Sequence, residues 1–152
     1  MLRDKVILAV DDEPDVLDTI VEVLDLCRVD TAGHYDKALG LLQSGTYDMV
    51  ILDVMGVKGL HLLESSVNRK FPTVMLTAPA LNPEYILQSM RRGAISYISK
   101  EDLVNLDTLL SDLLAIVAEG GSTWRHTMKR LEPLLDASFP PDWRQRYESL
   151  LE

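Results

Sequence analysis

The apolar positions fall into two alternating patterns. Short apolar runs come first: residues 6–10, with Lys5 leading in, residues 49–52 after Tyr47-Asp48, and residues 74–76 between Thr73 and Thr77. Runs of this length, bounded by polar residues, predict strands buried on both faces, as in a parallel sheet. Weaker patterns at 29–32 and 95–98 predict two further short strands, which makes five: 5–10, 29–32, 47–53, 73–76 and 95–98. Between them apolar residues recur at helical spacing. Val16, Leu17, Ile20, Val21 and Leu24 form one stripe, and Ala38, Leu39 and Leu42 one within 36–43, with Gly45 past its end. Leu60, Leu63 and Val67 lie within 60–68, and Leu103, Leu106, Leu110, Leu113 and Val117 within a long helix over about 102–118 that Gly120-Gly121 ends. Asn82-Pro83-Glu84 opens the remaining helix with a cap, a proline and an acid, and that helix stops near Gly93. Five strand–helix units in alternation predict an α/β fold, a doubly wound parallel sheet with right-handed crossovers and helices on both faces.

A further segment follows. Ser122 or Thr123 can cap a helix carrying Trp124, Met128, Leu131 and Leu135, with Pro133 weakening its middle. After Phe139-Pro140-Pro141, residues 142–151 can form a second helix with Trp143, Tyr147, Leu150 and Leu151 on one face. Both tryptophans of the chain lie here. The division expected is a main domain over 1–120 and a helical C-terminal extension over 121–152. The extension either packs on its own domain or presents Trp124, Trp143 and Tyr147 as aromatic anchors for a partner or a second copy.

The 152 residues suit one domain with a short appendage, large enough to bury a core without staples. Net charge is −9, and residues 121–152 carry five basic and five acidic side chains, so the excess of acid lies in the first 120. That argues against direct nucleic-acid binding and suits cations and basic partner surfaces. The one cysteine, Cys27, allows no internal disulfide and is expected as a small core residue. Neither a signal peptide nor an apolar run of membrane-spanning length is read, and a cytoplasmic, reducing setting is expected.

The candidate chemistry follows from the strand ends. The first strand delivers Asp11 and Asp12, the third Asp53, the fourth Thr77, and the fifth is followed by Lys100. In a parallel sheet these share the carboxyl rim, where open α/β sheets bind ligands. Taken singly, each has a plain structural reading: Asp53 can open a turn, Thr77 can end a strand, Lys100 can be a solvated charge and Tyr97 a core aromatic. Together, three carboxylates would repel one another unless a divalent cation lies between them. Oxygen-only ligands favour Mg²⁺ or Ca²⁺. Lys100 and Thr77 would then be free for an anion, and a phosphoryl group on Asp53 is the anion this arrangement predicts.

The pieces Val10-Asp11-Asp12-Glu13, Ile51-Leu52-Asp53, Leu76-Thr77-Ala78 and Gly93-Ala94-Ile95-Ser96-Tyr97-Ile98-Ser99-Lys100 resemble the receiver domain of two-component response regulators. The resemblance spans residue 5 to about 119. It implies a flavodoxin-like, five-stranded sheet in the order 2-1-3-4-5. It implies Asp53 as phosphoacceptor, with Asp11, Asp12, Asp53 and the backbone carbonyl of Met55 as Mg²⁺ ligands. Lys100 and Thr77 would bind the phosphoryl group, and Thr77 and Tyr97 would form a switch. The implied partners are a sensor histidine kinase or phosphotransfer protein, and downstream a protein target or a self-dimer. Implied too is a regulatory rather than enzymatic role, with phosphotransfer to Asp53 self-catalysed.

The chain departs from the family pattern in places. Gly59 stands six residues after Asp53 where the family has it about eight after, so the loop is two residues short, and the usual proline there is missing. Glu101 rather than proline follows Lys100, which predicts a different start for the last domain helix. The positions that tune hydrolysis in the family hold Met55 and Pro79, neither able to orient a water, so slow self-dephosphorylation is expected. Two other readings stay open on these residues. One is an Asp-nucleophile phosphatase, although Met55 stands where such enzymes place a second acid. The other is a degenerate receiver that docks or dimerises without phosphorylation.

Overall fold

The structure, a computed structural model, describes residues 2–78 and 82–148, and within the last helix not the side chain of Tyr147. The elements run β1 (Val6–Val10), α1 (Pro14–Val23), β2 (Arg28–Ala32), α2 (Tyr35–Ser44), β3 (Met49–Asp53), α3 (Gly59–Asn68), β4 (Thr73–Thr77), α4 (Pro83–Arg91), β5 (Ser96–Ser99), α5 (Leu106–Ala118), α6 (Thr123–Ser138) and α7 (Trp143–Glu148). All strand pairs are parallel, in the order β2-β1-β3-β4-β5. Among the described residues no helix is long and apolar enough to cross a membrane.

Alternation along the strands divides the core in two. Ile7, Ala9, Met49, Ile51, Val74, Leu76 and Ile98 face α1 and α5, where they meet Ile20, Leu24, Leu106, Leu110 and Leu113. Leu8, Val10, Val50, Leu52, Met75 and Tyr97 face the other way, onto Ala38, Leu42, Leu62, Leu63 and Ile86. This explains why the central strands read as continuous apolar runs: both faces are covered. Edge strand β2 instead alternates, with Arg28 and Asp30 exposed, which blunts the edge.

The helix ends follow their chemistry. Asn82 Oδ1 accepts from Glu84 N–H at 2.9 Å, with Pro83 at the first helical position, and Ser122 Oγ accepts from Arg125 N–H at 3.2 Å. The short loop after β3 leaves its mark at α3. Lys58, just before the helix, is left-handed at φ 54°, and Gly59 lies against the Asp53 backbone carbonyl, so closely that a Cβ would overlap its oxygen. Cys27 is half-buried and donates its S–H to Leu2 O at 3.4 Å.

Two expectations need correction. The last domain helix does not begin at 102. Residues Lys100–Asn105 form a 3-10 segment and α5 starts at Leu106. Val21 and Val117 leave their stripes and are 44% and 43% exposed. Val21 sits about 100° round the helix from Ile20, at the margin of what α5 and the sheet cover, and Val117 lies a turn beyond the last buried residue, Leu113. Pro133 lies within α6, which runs through it unbroken. Pro133 is on the solvent side, where a carbonyl left without its N–H partner can bond water.

Of the two readings of the extension, the structure has the first, packing on its own domain. Trp124 and Trp143 are 9% and 5% exposed and lie in the same core cluster as Tyr97 and Ile86, together with Met128, Leu131, Leu135 and Phe139. The indole N–H of Trp124 donates to Ala94 O at 2.5 Å and that of Trp143 to Asp136 Oδ1 at 2.9 Å. Neither indole is therefore a free anchor for a partner. The side chain of Tyr147, and residues Leu150 and Leu151, lie outside what is described. α6 thus lies as a cover on β5, its apolar face continuous with the core.

Candidate functional site

The site lies at the carboxyl rim of the sheet. β1 ends at Val10 and the next two residues are Asp11 and Asp12; β3 ends in Asp53. One oxygen from each of these three carboxylates can be chosen so that all lie within 4.8 Å of one another. Asp11 and Asp53 are buried and Asp12 is exposed. Parallel register makes the convergence: Val10 pairs with Leu52 and Asp53 with Leu76, so consecutive strand ends finish level.

Lys100, directly after β5, reaches across this group. Its Nζ is 2.8 Å from Glu13 Oε2, 3.0 Å from Asp11 Oδ2 and 3.7 Å from Asp53 Oδ1. The Asp53 carboxylate also receives two long hydrogen bonds from the loop, Met55 N–H to Oδ1 at 3.4 Å and Gly56 N–H to Oδ2 at 3.2 Å. The Met55 side chain points to solvent and is 61% exposed. Gly56 makes room for Asp12: a Cβ at residue 56 would fall 2.5–2.6 Å from the Asp12 carboxylate.

Burial sets the electrostatics. It pushes both Asp11 and Asp53 above the usual carboxylate range. For Asp11 the Glu13 N–H and Lys100 act against it, and for Asp53 the Lys100 charge and the two loop N–H groups do. On Lys100 burial alone would lower the pKa, but the hydrogen bond to Glu13, the ionic contact with Asp11 and the charge of Asp53 outweigh it and hold the ammonium firmly protonated. Two carboxylates that burial holds above their normal range would be favoured in the charged form by a bound cation.

These residues fit a divalent cation. The donor set is all oxygen, which suits Mg²⁺ or Ca²⁺. Among the described residues Asp11 Oδ2 is buried with no hydrogen bond of good geometry, Lys100 at 3.0 Å being an ionic contact. It is an acceptor with capacity to spare.

Thr77 closes β4 beside Ser99 of β5 and is buried. Next to it the phenol of Tyr97 is fully buried, and among the described residues its hydroxyl makes no hydrogen bond of good geometry. Burial raises the Tyr97 pKa, with the Thr77 hydroxyl acting against it and the Asp53 charge adding to it. Tyr97 therefore sits inward, within electrostatic reach of the acidic group. On its far side is α6: Arg130 Nη2 donates to Tyr97 O at 3.0 Å, Arg130 Nη1 bonds Asp102 at 3.3 Å, and Ser96 and Thr127 share a hydroxyl hydrogen bond of 2.5 Å. Pro79 lies outside the described residues.

The structure thus brings together Asp11, Asp12, Asp53 and Lys100, with Thr77 and Tyr97 alongside, and does not add Trp124 or Trp143 to any exposed surface. Two residues of the site escaped the sequence reading. Gly56 gave no signal beyond being a loop glycine. Glu13 was legible only as the third acid of a run at a helix start.

Residues 7–112 match the family model described as the response regulator receiver domain. A curated relative, the transcriptional regulatory protein TcrA of Mycobacterium tuberculosis, is 31% identical over 144 residues, covering 91% of this chain and 56% of TcrA, so the chain spans about half the length of that relative. Among solved structures, a CheY-like receiver domain protein from Methanospirillum hungatei superposes with TM-score 0.64 at 24% identity over 76% of this chain and 98% of that one. A Burkholderia pseudomallei response regulator, solved with a phosphorylated aspartic acid, calcium ion and citrate, gives 0.64 at 21% identity over 86% of this chain and 85% of that one. These two likenesses speak to the fold.

Proposed function

The chain belongs to the response regulator receiver family, and from that premise we propose that it takes a phosphoryl group onto Asp53 and signals through the rearrangement that follows. The observation carrying this reading is the placement of Asp53: a buried carboxylate at the end of β3, grouped with Asp11 and Asp12 and 3.7 Å from the one ammonium that reaches it among the described residues. Asp11, Asp12, Asp53 and the Met55 backbone carbonyl would hold Mg²⁺, which would neutralise charge on the transferring group. An Asp53 oxygen attacks the donor's phosphorus, and the bond from phosphorus to the donor's imidazole or acyl oxygen breaks. The leaving group departs with that electron pair.

The product carries about −1.5 to −2 charges and three acceptor oxygens. Lys100 pairs with them, and the Thr77 hydroxyl donates to one. Movement of Thr77 alters what Tyr97 packs against, and the Tyr97 carbonyl and Asp102 are tied to α6 through Arg130. The donor would be a sensor histidine kinase or a phosphotransfer protein. The output would pass through protein contacts, to a target or a second copy, rather than through nucleic acid bound by this chain. Residues 1–120 would form the receiver domain and 121–152 a helical extension that completes its core. With Met55 and Pro79 at the flanking positions, the phosphoryl group would be lost slowly.

Incubation with acetyl phosphate and Mg²⁺ followed by intact mass tests the reading. One added phosphoryl group per chain, absent in Asp53→Asn and persisting for minutes after acetyl phosphate is removed, is the result expected. Sustained turnover of acetyl phosphate would point instead to a phosphatase, and no uptake at all to a docking module.

A further inference from the structure

We propose that Glu13 is a positioning residue that holds the Lys100 ammonium back from Asp53 until a more highly charged acceptor forms there; this rests on Asp53 being the phosphoacceptor. Glu13 occupies the N-cap position of α1, where an acidic side chain ordinarily turns to the first helical N–H groups. It makes no such bond. Its own N–H donates to Asp11 Oδ1 at 2.9 Å, and its carboxylate accepts from Lys100 at 2.8 Å, the shortest of the three ion pairs that Lys100 makes among the described residues. Asp53 has the longest, 3.7 Å, beyond hydrogen-bond range. Among the described residues Glu13 is also the one acid paired with Lys100 that stands outside the Asp11, Asp12 and Asp53 group, so it stays available to Lys100 whatever that group holds.

The consequence is a competition. Lys100 is drawn toward β1 by Glu13 and Asp11, and its reach to Asp53 is the contact left over. A phosphoryl group on Asp53 brings three acceptor oxygens and up to two charges, enough to win Lys100 from an exposed carboxylate. The Glu13 side chain is 59% exposed, so its hold is that of a screened surface pair, and its removal changes the balance by at most about five-fold. Removing Glu13 therefore favours the phosphorylated state, modestly and without touching any group that takes the phosphoryl or the cation.

The test compares wild type with Glu13→Gln in the full chain, which keeps the side chain's length and removes its charge. Two readouts are taken. The first is the crystal structure of the unphosphorylated variant, in which Lys100 Nζ should close on Asp53 Oδ1 to about 3 Å, a hydrogen bond. The second is the phosphorylated fraction at subsaturating acetyl phosphate with Mg²⁺, which should rise about two- to five-fold. Glu13→Asp, which keeps the charge on a shorter arm, should fall between the two. If Lys100 stays at its wild-type distance from Asp53, or the phosphorylated fraction of Glu13→Gln equals or falls below that of wild type, the proposal is overturned. Failure of wild type itself to take up phosphoryl would sink the reading of Asp53 instead, and the position of Lys100 in the variant would then alone decide whether Glu13 holds it.

Discussion

The loop after β3 gives the most demanding prediction, because two substitutions of the same kind should move stability in opposite directions. Gly59 is the first residue of α3 and is buried against the end of β3. A Cβ there would overlap the Asp53 carbonyl oxygen and come within 2.9 Å of both the Asp53 carbonyl carbon and Val54 Cα. All are backbone atoms, so no flexible side chain can swing aside, and Gly59→Ala must push α3 away from β3. Overpacking of this sort costs about 1–3 kcal/mol, and a clash with backbone belongs at the upper end. Gly40 is also helical, in the middle of α2, but it is exposed and a Cβ there meets nothing within 4 Å. Gly40→Ala should gain about 0.5–1 kcal/mol from lost unfolded-state freedom. In a chain of this size each kcal/mol shifts the melting temperature by roughly 2–4 °C. Far-UV circular dichroism melts should therefore show Gly59→Ala lower by about 4–12 °C and Gly40→Ala higher by about 1–4 °C. Urea titrations should report the same signs with unchanged m values. A Gly59→Ala protein as stable as wild type would refute the tight contact between α3 and β3, and with it the account of how a short loop is accommodated.

Three other outcomes follow from the same geometry. Mg²⁺ at about a hundred times its dissociation constant should stabilise wild type by about 2.7 kcal/mol, and Asp12→Ala or Asp53→Asn should lose most of that gain; equal shifts in all three proteins would mean the cation binds elsewhere. Because burial raises the Asp53 pKa, the folded state binds a proton more tightly there than the unfolded one. That contribution to stability is complete below the unfolded carboxylate value, about 4, and is lost as pH rises through the folded value. The metal-free stability difference, wild type minus Asp53→Asn, should accordingly become more negative from pH 4 to 7, and a difference that grows more positive would be the wrong sign. Trp124→Ala should cost about 3–5 kcal/mol, as for a core aromatic, and a cost near zero would contradict the docking of α6 on β5.

Much of the fold was legible because burial on both faces leaves a strong sequence trace. Residues 6–10, 49–52 and 74–76 could hardly be anything but central strands, and the rim residues follow once the strands are parallel. What was not legible depended on neighbours distant in sequence. Val21 belongs to the helical period and is exposed only because α5 and the sheet stop short of it. Pro133 is accommodated within α6 because its side of the helix meets solvent. The 3-10 segment at Lys100–Asn105 begins where Lys100 is drawn toward acids at the end of β1. The role given to Glu13 is of the same kind. As part of an acidic helix start it looked complete, and only the three distances around Lys100 show where its carboxylate goes.

The claim on which all this rests is that one acid, brought to a common rim with two others and an ammonium, takes the phosphoryl group. Borohydride reduces an aspartyl phosphate to homoserine, so the acetyl phosphate-treated protein can be reduced, digested and sequenced by mass spectrometry. Homoserine at position 53 alone is the result predicted; homoserine at 11 or 12, or none anywhere after phosphoryl uptake, would contradict it.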